Sequence, residues 1–319
     1  MALVRGWESI ESLKGGYASI GNFDGVHRGH QALLASVQAD ASRRGAPAGV
    51  MIFDPHPREF FQPHVPHFRL TTRVQKLRQF ERFGLDLAVV LPFDAALAAL
   101  SPEAFIADVL VNALGVGHVV IGYDFNFGKA RAGSPETMRQ AGQRLGFGVT
   151  VVQPVSDGAA AYSSSAIRNK LAEGDVAAAA LALGHRWRLD GRVGGGAKRG
   201  TGLGFPTANI TVPAGCGLAH GIYAARVHVG GETHLGAAYW GSRPQFDNGL
   251  AVLEVFLLDF DGDLYGQDLS VEFVAFLRPD GTFEGLEALK LQMQADCGAA
   301  RRILTALRAH DPLAGRPLA

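Results

Sequence analysis

The chain has 319 residues, of which 47% are hydrophobic and 19% charged, with 30 basic and 30 acidic side chains. This length favours two domains, and the balanced charge argues against a general electrostatic hold on nucleic acid or a membrane surface. With only two cysteines, Cys216 and Cys297, a disulfide framework is excluded, and the lack of a CxxC pair argues against a cysteine-based zinc site. No apolar run is long enough to span a bilayer. We therefore expect a reduced, cytoplasmic protein.

The first half of the chain alternates short apolar runs with amphipathic stretches. Strands are predicted at 17–21, 49–53, 87–91, 118–122 and 149–153, and helices at 29–44, 71–83, 102–114 and 134–145. The proline-rich stretch 54–66 is predicted to be a loop. Strands that alternate with helices indicate a parallel α/β sheet, in which ligands bind at the carboxyl ends of the strands.

The pattern changes near Gly184. Short helices are predicted at 165–173 and 175–183, then strands at 187–193, 221–229, 233–240, 250–259 and 269–277, and a last helix at 286–310. Consecutive strands with glycine-rich turns predict an antiparallel barrel closed by one helix. We therefore expect one domain at 1–184 and a second at 185–319.

The segment from Ile20 to His30, IGNFDGVHRGH, joins the first predicted strand to the first predicted helix. His27 and His30 point to the same side of that helix, and Gly29 between them lets a phosphate approach. A helix start with two imidazoles can hold a triphosphate and stabilise charge that develops at its α-phosphorus. An isolated HxxH is also typical of surface histidines in a capped helix, or of part of a metal site.

Three further segments follow predicted strands or begin a predicted helix. In SSSAIR (163–168), Ser164 and Ser165 can cap the helix and bind phosphate, and Arg168 supplies a positive fork; an ordinary serine cap is the plainer interpretation. Asp124 in GYDFNFG (122–128) can hydrogen-bond a polar ligand, and FDPHP (53–57) is either a ligand wall or a rigid turn.

These strings together resemble the N-terminal module of the bacterial bifunctional riboflavin kinase/FMN adenylyltransferase family, which belongs to the HxGH nucleotidyltransferases. The resemblance covers essentially the whole first half and implies that ATP adenylylates FMN to FAD. It implies catalytic roles for His27, His30 and Arg168. It implies ATP contacts at Gly21, Phe23, Gly29, Ser164 and Ser165, and flavin contacts at Asp124, Phe53 and His56. The family usually has Thr where Ser165 stands, so a hydroxyl is kept.

The second half carries a glycine-rich stretch that ends in the predicted turn Pro206–Asn209. Its backbone N–H groups can hold phosphate, but its spacing fits neither a P-loop nor a dinucleotide-binding fingerprint. Thr207 and Asn209 offer hard oxygen ligands for Mg²⁺, and Glu254, alone on an apolar strand, can deprotonate a hydroxyl. A flexible hairpin and an outward-facing strand residue are the plainer interpretations.

The strings GFPTAN, LEVFLLDFDGDLYG and LRPDGTFEGLEALK resemble the riboflavin kinase domain of the same family, a small antiparallel barrel with a C-terminal helix. This resemblance, over about Gly184 to Arg302, implies that Mg-ATP phosphorylates riboflavin to FMN. It implies Glu254 as the catalytic base, Thr207 and Asn209 at Mg²⁺, Gly196, Lys198 and Gly204 at ATP, and Arg278 and Phe283 beside the flavin.

The chain departs from the family pattern at several kinase positions: Tyr239 and Trp240 replace Asn and Ile, Gln245 replaces Thr, and Gly195 and Phe256 each replace a His. If Tyr239 and Trp240 face the ligand, they should alter flavin affinity or selectivity. If they face outward or into the core, their replacement should change stability only, and this second alternative is favoured because aromatic residues on strands most often pack. Two alternatives to the bifunctional enzyme stay open. One is an adenylyltransferase whose kinase-like half only binds flavin, and the other is a non-enzymatic flavin sensor. The oligomeric state is not readable from the sequence.

Overall fold

The computed structural model describes residues 1–6, 13–156, 158, 160–194, 207–212, 215–242 and 251–318. Contacts between Cα atoms divide the chain into two compact units, residues 1–164 with Leu318 and residues 165–317. Residues 165–183, which we predicted to close the first domain, group with the second unit. The domain boundary at Gly184 stays a prediction.

The first unit is built on a six-stranded parallel sheet with the strand order β1-β4-β3-β2-β5-β6. The strands are β1 (Ala2–Arg5), β2 (Tyr17–Ile20), β3 (Ala48–Asp54), β4 (Leu87–Pro92), β5 (His118–Gly122) and β6 (Gly148–Val152). The helices are α1 (Arg28–Arg44), α2 (Pro57–Phe61), α3 (Arg73–Phe83), α4 (Ala95–Ala99), α5 (Pro102–Ala104), which runs into a π-helical segment (Phe105–Ala113), and α6 (Pro135–Leu145). The predicted parallel α/β sheet is confirmed.

The sheet is covered on both faces, as its continuous apolar strands require. Along β4, Leu87, Val89 and Leu91 enter one core cluster, whereas Ala88 and Val90 enter another on the opposite face. This alternation gives each face its own buried layer.

The prediction that 54–66 is entirely a loop is wrong, because α2 lies within it. Pro57 occupies the first turn, where its missing N–H costs nothing, and the His56 side chain accepts a hydrogen bond from the amide of Arg58 at 3.1 Å.

The strand order creates a switch point beside β2. From β2 the chain crosses to β3 on one side, and β5 later pairs with β2 on the other side. In an open α/β sheet such a reversal opens a crevice at the carboxyl ends of the strands. The turn between β2 and α1 lies at this point.

The second unit contains a closed antiparallel barrel with the strand order β10-β11-β8-β7-β12-β9. Its elements are α7 (Ser164–Ala172), α8 (Val176–Leu183), β7 (Arg188–Gly194), β8 (Thr207–Ile210), β9 (Gly221–Val229), β10 (Glu232–Ser242), β11 (Ala251–Leu257), β12 (Asp268–Pro279) and α9 (Leu286–Ala309). The predicted barrel and closing helix are confirmed. The predicted turn at Pro206–Asn209 is wrong for Thr207 and Asn209, which lie on strand β8.

The barrel interior is filled by large side chains. Trp187, Tyr223, Trp240 and Phe273 are at most 2% exposed, and the Tyr223 and Phe273 rings meet edge to face with centroids 5.2 Å apart. Helix α9 packs on the outside of the barrel through a separate apolar cluster that includes Leu304. The barrel therefore has an inner core and an outer face that α9 covers in part.

Helices α7 and α8 pack on this barrel, which bears on where an autonomous fragment should begin. The Leu171 carbonyl accepts a hydrogen bond from the Ala219 amide at 3.0 Å, and a Cβ added at Gly174 would lie 3.2 Å from the Phe276 ring. We expect a fragment from Gly184 onward to fold and bind flavin. We expect one from Ser165 onward to have a free energy of unfolding larger by about 3 kcal/mol, since it keeps buried side chains such as Leu171.

Urea denaturation of the two fragments, followed by circular dichroism, measures this difference. Equal stabilities would show that α7 and α8 contribute nothing to the barrel.

Candidate active sites

The β2–α1 turn brings its two histidines together. His27 is the N-cap of α1, and its Nδ1 accepts a hydrogen bond from the His30 amide at 3.3 Å. The two imidazole rings stack with centroids 3.6 Å apart. A Cβ at Gly29 would lie 3.1 Å from the His27 ring, so glycine keeps this approach open. The predicted common side of the two histidines is therefore confirmed.

His30 is held in its neutral form. Burial, followed by the charges of His27 and Lys76, lowers the pKa of His30 well below its usual value. The His30 Nδ1 atom is buried and has no hydrogen-bond partner among the residues that the structure describes. A polyphosphate bound here would provide such a partner, and its negative charge would favour protonation of the ring.

A buried carboxylate shapes the turn that precedes the histidines. Asp24 is 3% exposed, and its side chain accepts hydrogen bonds from the amides of Leu70 at 3.0 Å and Thr71 at 3.1 Å. The Thr71 hydroxyl accepts a further bond from the Gly25 amide at 2.9 Å. These bonds tie the β2–α1 turn to the segment that leads into α3. Sequence reasoning did not single out Asp24, although it lies within the quoted motif.

The same turn contains two residues with left-handed backbone, Phe23 at φ 49° and Val26 at φ 41°. Such conformations cost about 1–3 kcal/mol each and persist only where the surroundings hold them. Buried Lys76 contributes by donating to the carbonyl of Asn22 at 3.0 Å. The Phe23 side chain is fully buried and edges against Phe80, so only its backbone is left for the predicted ATP contact.

A distant segment also reaches the β2–α1 turn. The Ser164 hydroxyl donates to the Asp24 carbonyl at 2.8 Å, across 140 positions of sequence. Arg28 lies over the Tyr162 ring, 4.7 Å from its centroid, and its guanidinium donates to the Tyr162 hydroxyl. Ser164 thus lies at the histidine turn, and its contact with ATP stays a prediction. Ser165 and Arg168 belong to the second unit, and their roles toward ATP stay predictions.

The carboxyl end of β3 carries the predicted flavin residues Phe53 and His56. The Phe53 ring meets Phe93 edge to face at 5.7 Å, and Phe60 and Phe61 also contact Phe93. Phe61 is 64% exposed, so this aromatic cluster opens to solvent. Sequence reasoning missed Phe60, Phe61 and Phe93, although aromatic residues that follow a strand end were a usable signal.

Asp124 lies just beyond the end of β5 and is exposed. A Cβ at Gly122 would lie 3.0 Å from an Asp124 side-chain oxygen, and the Asn126 side chain donates to the Asp124 carbonyl at 2.8 Å. Asp124 is thus on the strand end that was predicted, with its carboxylate folded back over Gly122. A hydrogen bond from Asp124 to a flavin stays a prediction.

His56 provides a test of this end of the sheet. Burial, followed by the charge of His67, lowers the pKa of His56 to about 4. In the unfolded chain the same imidazole titrates near 6.5, so between pH 6.5 and 4 the unfolded state binds more protons and the folded state loses stability as the pH falls.

The His56→Asn variant keeps an acceptor for the Arg58 amide but has no imidazole to protonate. As the pH falls through this window, its free energy of unfolding should therefore decrease by roughly 2–3 kcal/mol less than that of the parent chain. Urea denaturation at pH 7 and pH 4.5 measures the difference. An unchanged pH dependence would show that His56 is not buried in its neutral form.

In the second unit, strand register aligns three of the functional positions. Asn209 on β8 pairs with Glu254 on β11, and Glu254 pairs with Tyr239 on β10. Directly opposed residues point to the same face with Cβ atoms about 5 Å apart. Because Leu253 and Val255 are buried in the barrel, the Asn209–Glu254–Tyr239 row lies on the outer face.

Thr207 lies two residues from Asn209 on β8, and therefore on the same face. The described residues contain no group of three or more His, Cys, Asp or Glu side chains that could hold a metal ion. A hydroxyl and an amide oxygen on one strand fit Mg²⁺ only if nucleotide phosphates complete its coordination. The donor set is consistent with an ion that arrives with ATP.

The other end of the row meets the segment that connects β12 to α9, residues 280–285, which we call the β12–α9 loop. Arg278 lies 5.4 Å from the centroid of the Phe283 ring, and its guanidinium donates to Asp296 of α9 at 2.8–3.2 Å. The two residues predicted to lie beside the flavin are therefore in contact with each other. Gly195, Gly196, Lys198, Gly204 and Gln245 fall outside the described residues.

The structure separates the unusual aromatic pair of β10. Trp240 is 2% exposed and donates through Nε1 to the Leu218 carbonyl at 3.0 Å, so it packs in the core. Tyr239 faces the opposite way, in the row with Glu254. Core packing is confirmed for Trp240, whereas a contact of Tyr239 with the ligand stays a prediction, because neighbouring strand residues point to opposite faces.

Comparisons with known proteins agree with both halves of this description. A family profile described as FAD synthetase matches residues 9–166, and one described as riboflavin kinase matches residues 183–304. Proteins named bifunctional riboflavin kinase/FMN adenylyltransferase are similar over nearly the whole chain. The protein of Pseudomonas fluorescens is 42% identical, over 95% of this chain and 98% of its own length. The protein of Escherichia coli K12 is 38% identical, over 94% of this chain and 97% of its own length.

A solved structure from Streptococcus pneumoniae, described as a macrolide-efflux protein, matches with a TM-score of 0.86 and 27% identity over 94% of this chain and 99% of its own. Within the described residues, no helix of this chain has the length and apolar character needed to cross a membrane.

An HxGH turn at the switch point of a parallel sheet, followed by a barrel with a Thr-x-Asn strand and a facing carboxylate, defines a nucleotidyltransferase joined to a small-molecule kinase. The chain belongs to the family of bifunctional riboflavin kinases/FMN adenylyltransferases. The resemblance read from its motifs is thereby confirmed.

Proposed function

We propose that this chain converts riboflavin to FMN in its second unit and FMN to FAD in its first, with ATP as the donor in both steps. One observation supports the proposal: each unit has its own group of polar side chains suited to phosphate chemistry, the stacked His27 and His30 in the first and the paired Asn209 and Glu254 in the second. A non-enzymatic flavin sensor would need neither set. Because ATP is the common donor, we place both reactions in the cytoplasm.

In the kinase step, Glu254 accepts the proton of the terminal hydroxyl of riboflavin. That oxygen attacks the γ-phosphorus of ATP, the bond to the β-phosphate oxygen breaks, and ADP leaves. Thr207 and Asn209 would hold Mg²⁺, which would neutralise the phosphates. The glycine-rich stretch with Gly196, Lys198 and Gly204 is proposed to cover those phosphates, and Arg278 and Phe283 to hold the flavin ring.

In the adenylyltransferase step, an FMN phosphate oxygen attacks the α-phosphorus of ATP and pyrophosphate leaves. The nucleophile is already ionised, so this step requires no base. His27, His30 and the α1 N-terminus stabilise the charge that develops on the α-phosphate oxygens. Gly21, Gly29 and Ser164 are proposed to line the ATP site, and Phe53, His56 and Asp124 to contact the flavin.

The proposal is tested by incubating the purified chain with riboflavin, ATP and Mg²⁺ and separating the flavins over time. FMN should appear first and FAD should follow, and chelation of Mg²⁺ should stop both steps. Formation of FAD from added FMN without any FMN from riboflavin would favour an adenylyltransferase with a binding-only second unit. No product from either substrate would favour the sensor.

A further inference from the structure

Tyr239 lies where the kinase site changes from phosphate chemistry to flavin binding. It stands opposite Glu254 on β11 and opposite Ile222 on β9, and Ile222 in turn pairs with Arg278 on β12. These pairings extend the Asn209–Glu254–Tyr239 row through Ile222 to Arg278, the proposed flavin residue on β12. Tyr239 is the middle member of this extended row.

The Tyr239 ring lies along its own strand and not outward into solvent. A Cβ added at Gly241 would lie 2.5 Å from the Tyr239 hydroxyl oxygen and 2.8 Å from Cζ, so the ring occupies the space that glycine leaves. From there the hydroxyl donates a hydrogen bond to the Asp280 carboxylate at 2.9 Å. The bond joins β10 directly to the β12–α9 loop.

Asp280 also holds the loop from within, because its second carboxylate oxygen accepts the Gly281 amide at 2.8 Å. The start of the loop is fixed by Arg278, which α9 holds through Asp296, a residue only 7% exposed. The loop thus has two anchors, one to the helix and one to Tyr239. The anchor to Tyr239 is the one that reaches the strand next to Glu254.

We propose that Tyr239 is a positioning residue of the kinase site, which holds the β12–α9 loop against the barrel so that the flavin ring and the reacting hydroxyl are bound together. This inference rests on the proposed function of the second unit. If Glu254 deprotonates the terminal hydroxyl and Phe283 contacts the ring, the sugar-alcohol chain of riboflavin spans the interval that Tyr239 occupies. The hydrogen bond from the Tyr239 hydroxyl to the Asp280 carboxylate would therefore fix the distance between the site of the flavin ring and the site of the reacting hydroxyl.

The test uses the full chain and three variants that break the bond in different ways. Tyr239→Phe removes the donor, Asp280→Asn weakens the acceptor, and Gly241→Ala displaces the ring while leaving both partners intact. Each should raise the riboflavin Kd, measured by quenching of riboflavin fluorescence without ATP, by about three- to tenfold. The riboflavin KM should rise in parallel, with kcat within about twofold of the parent chain, because the base is untouched.

The double variant Tyr239→Phe/Asp280→Asn should have a riboflavin Kd no higher than that of the single variant with the higher Kd, because both substitutions remove the same hydrogen bond. Trp240→Phe is the matched control: it loses a core hydrogen bond, and should lower thermal stability while leaving the riboflavin Kd unchanged. FMN-to-FAD conversion should be unaffected in every variant.

An unchanged riboflavin Kd in Tyr239→Phe and Gly241→Ala would overturn the positioning role while leaving the kinase assignment intact. Failure of the proposed function has a different signature, which is a parent chain that makes no FMN from riboflavin. In that case the binding titration still decides whether Tyr239 holds the loop.

Discussion

Replacing His30 by alanine should reduce FAD formation from FMN by about 10²–10³-fold and leave FMN formation from riboflavin unchanged. The reason is that His30 stands at the α1 N-terminus with a buried, unpartnered Nδ1 among the described residues, where a polyphosphate would supply the missing hydrogen bond. The loss should fall on kcat more than on KM, because charge develops on the phosphate only as pyrophosphate leaves. Rates with riboflavin and with FMN, measured separately by chromatography, provide the comparison.

His118→Gln is a suitable control within the same unit. His118 begins β5, so it lies at the amino ends of the strands, whereas the β2–α1 turn lies at their carboxyl ends; it makes its own hydrogen bond, 2.8 Å to the Thr150 hydroxyl. It should keep both activities. Equal loss of both activities in folded His30→Ala protein would contradict the assignment of one reaction to each unit.

Replacing Glu254 by glutamine should lower riboflavin phosphorylation by about 10²-fold or more, which is the usual scale for the loss of a general base. The amide keeps the shape of the side chain opposite Asn209 and Tyr239, so ATP binding and the barrel fold should survive. Conversion of FMN to FAD should also survive, because its nucleophile is an ionised phosphate. Single-turnover rates with saturating ATP isolate the phosphoryl-transfer step.

Glu232→Gln is the matched control, because Glu232 begins β10 and its side chain is 77% exposed. A Glu254→Gln protein that phosphorylates riboflavin at the parent rate would remove Glu254 as the base. The group that accepts the proton would then lie elsewhere in the second unit.

The fold was predictable from the sequence because both periodicities are clear. Apolar runs separated by amphipathic helices predicted the parallel sheet, and consecutive strands with glycine-rich turns predicted the barrel. The elements that sequence reasoning missed are short. Strands β1 and β8 have four residues each, and both are defined by pairing with strands far away in the chain. Helix α2 was hidden by the prolines around it, one of which begins it.

The candidate site residues also divide into those that local sequence predicts and those that depend on distant contacts. The histidines were predictable because the residues that place them are within one turn of helix. Asp24 was not, since the backbone amides that it binds lie 46 and 47 positions further along the chain. Tyr239 and Trp240 were judged as a pair, whereas strand alternation, which the sequence does contain, separates an outer-face residue from a core residue. The bond from Tyr239 to Asp280 depends on a turn of chain 41 positions away and could not be read locally.

The bonds that Asp24 makes have a consequence for motion. A nucleotide-binding turn with two glycines and two left-handed residues would ordinarily exchange its amide hydrogens quickly. Here the amides of Gly25, Leu70 and Thr71 are all engaged in buried bonds around one carboxylate. Their exchange should require the turn and the start of α3 to open together, so these three amides should show one common free energy of opening in deuterium exchange before any nucleotide is added. The proposed ATP site would then be preformed, and binding of ATP would cost little ordering entropy.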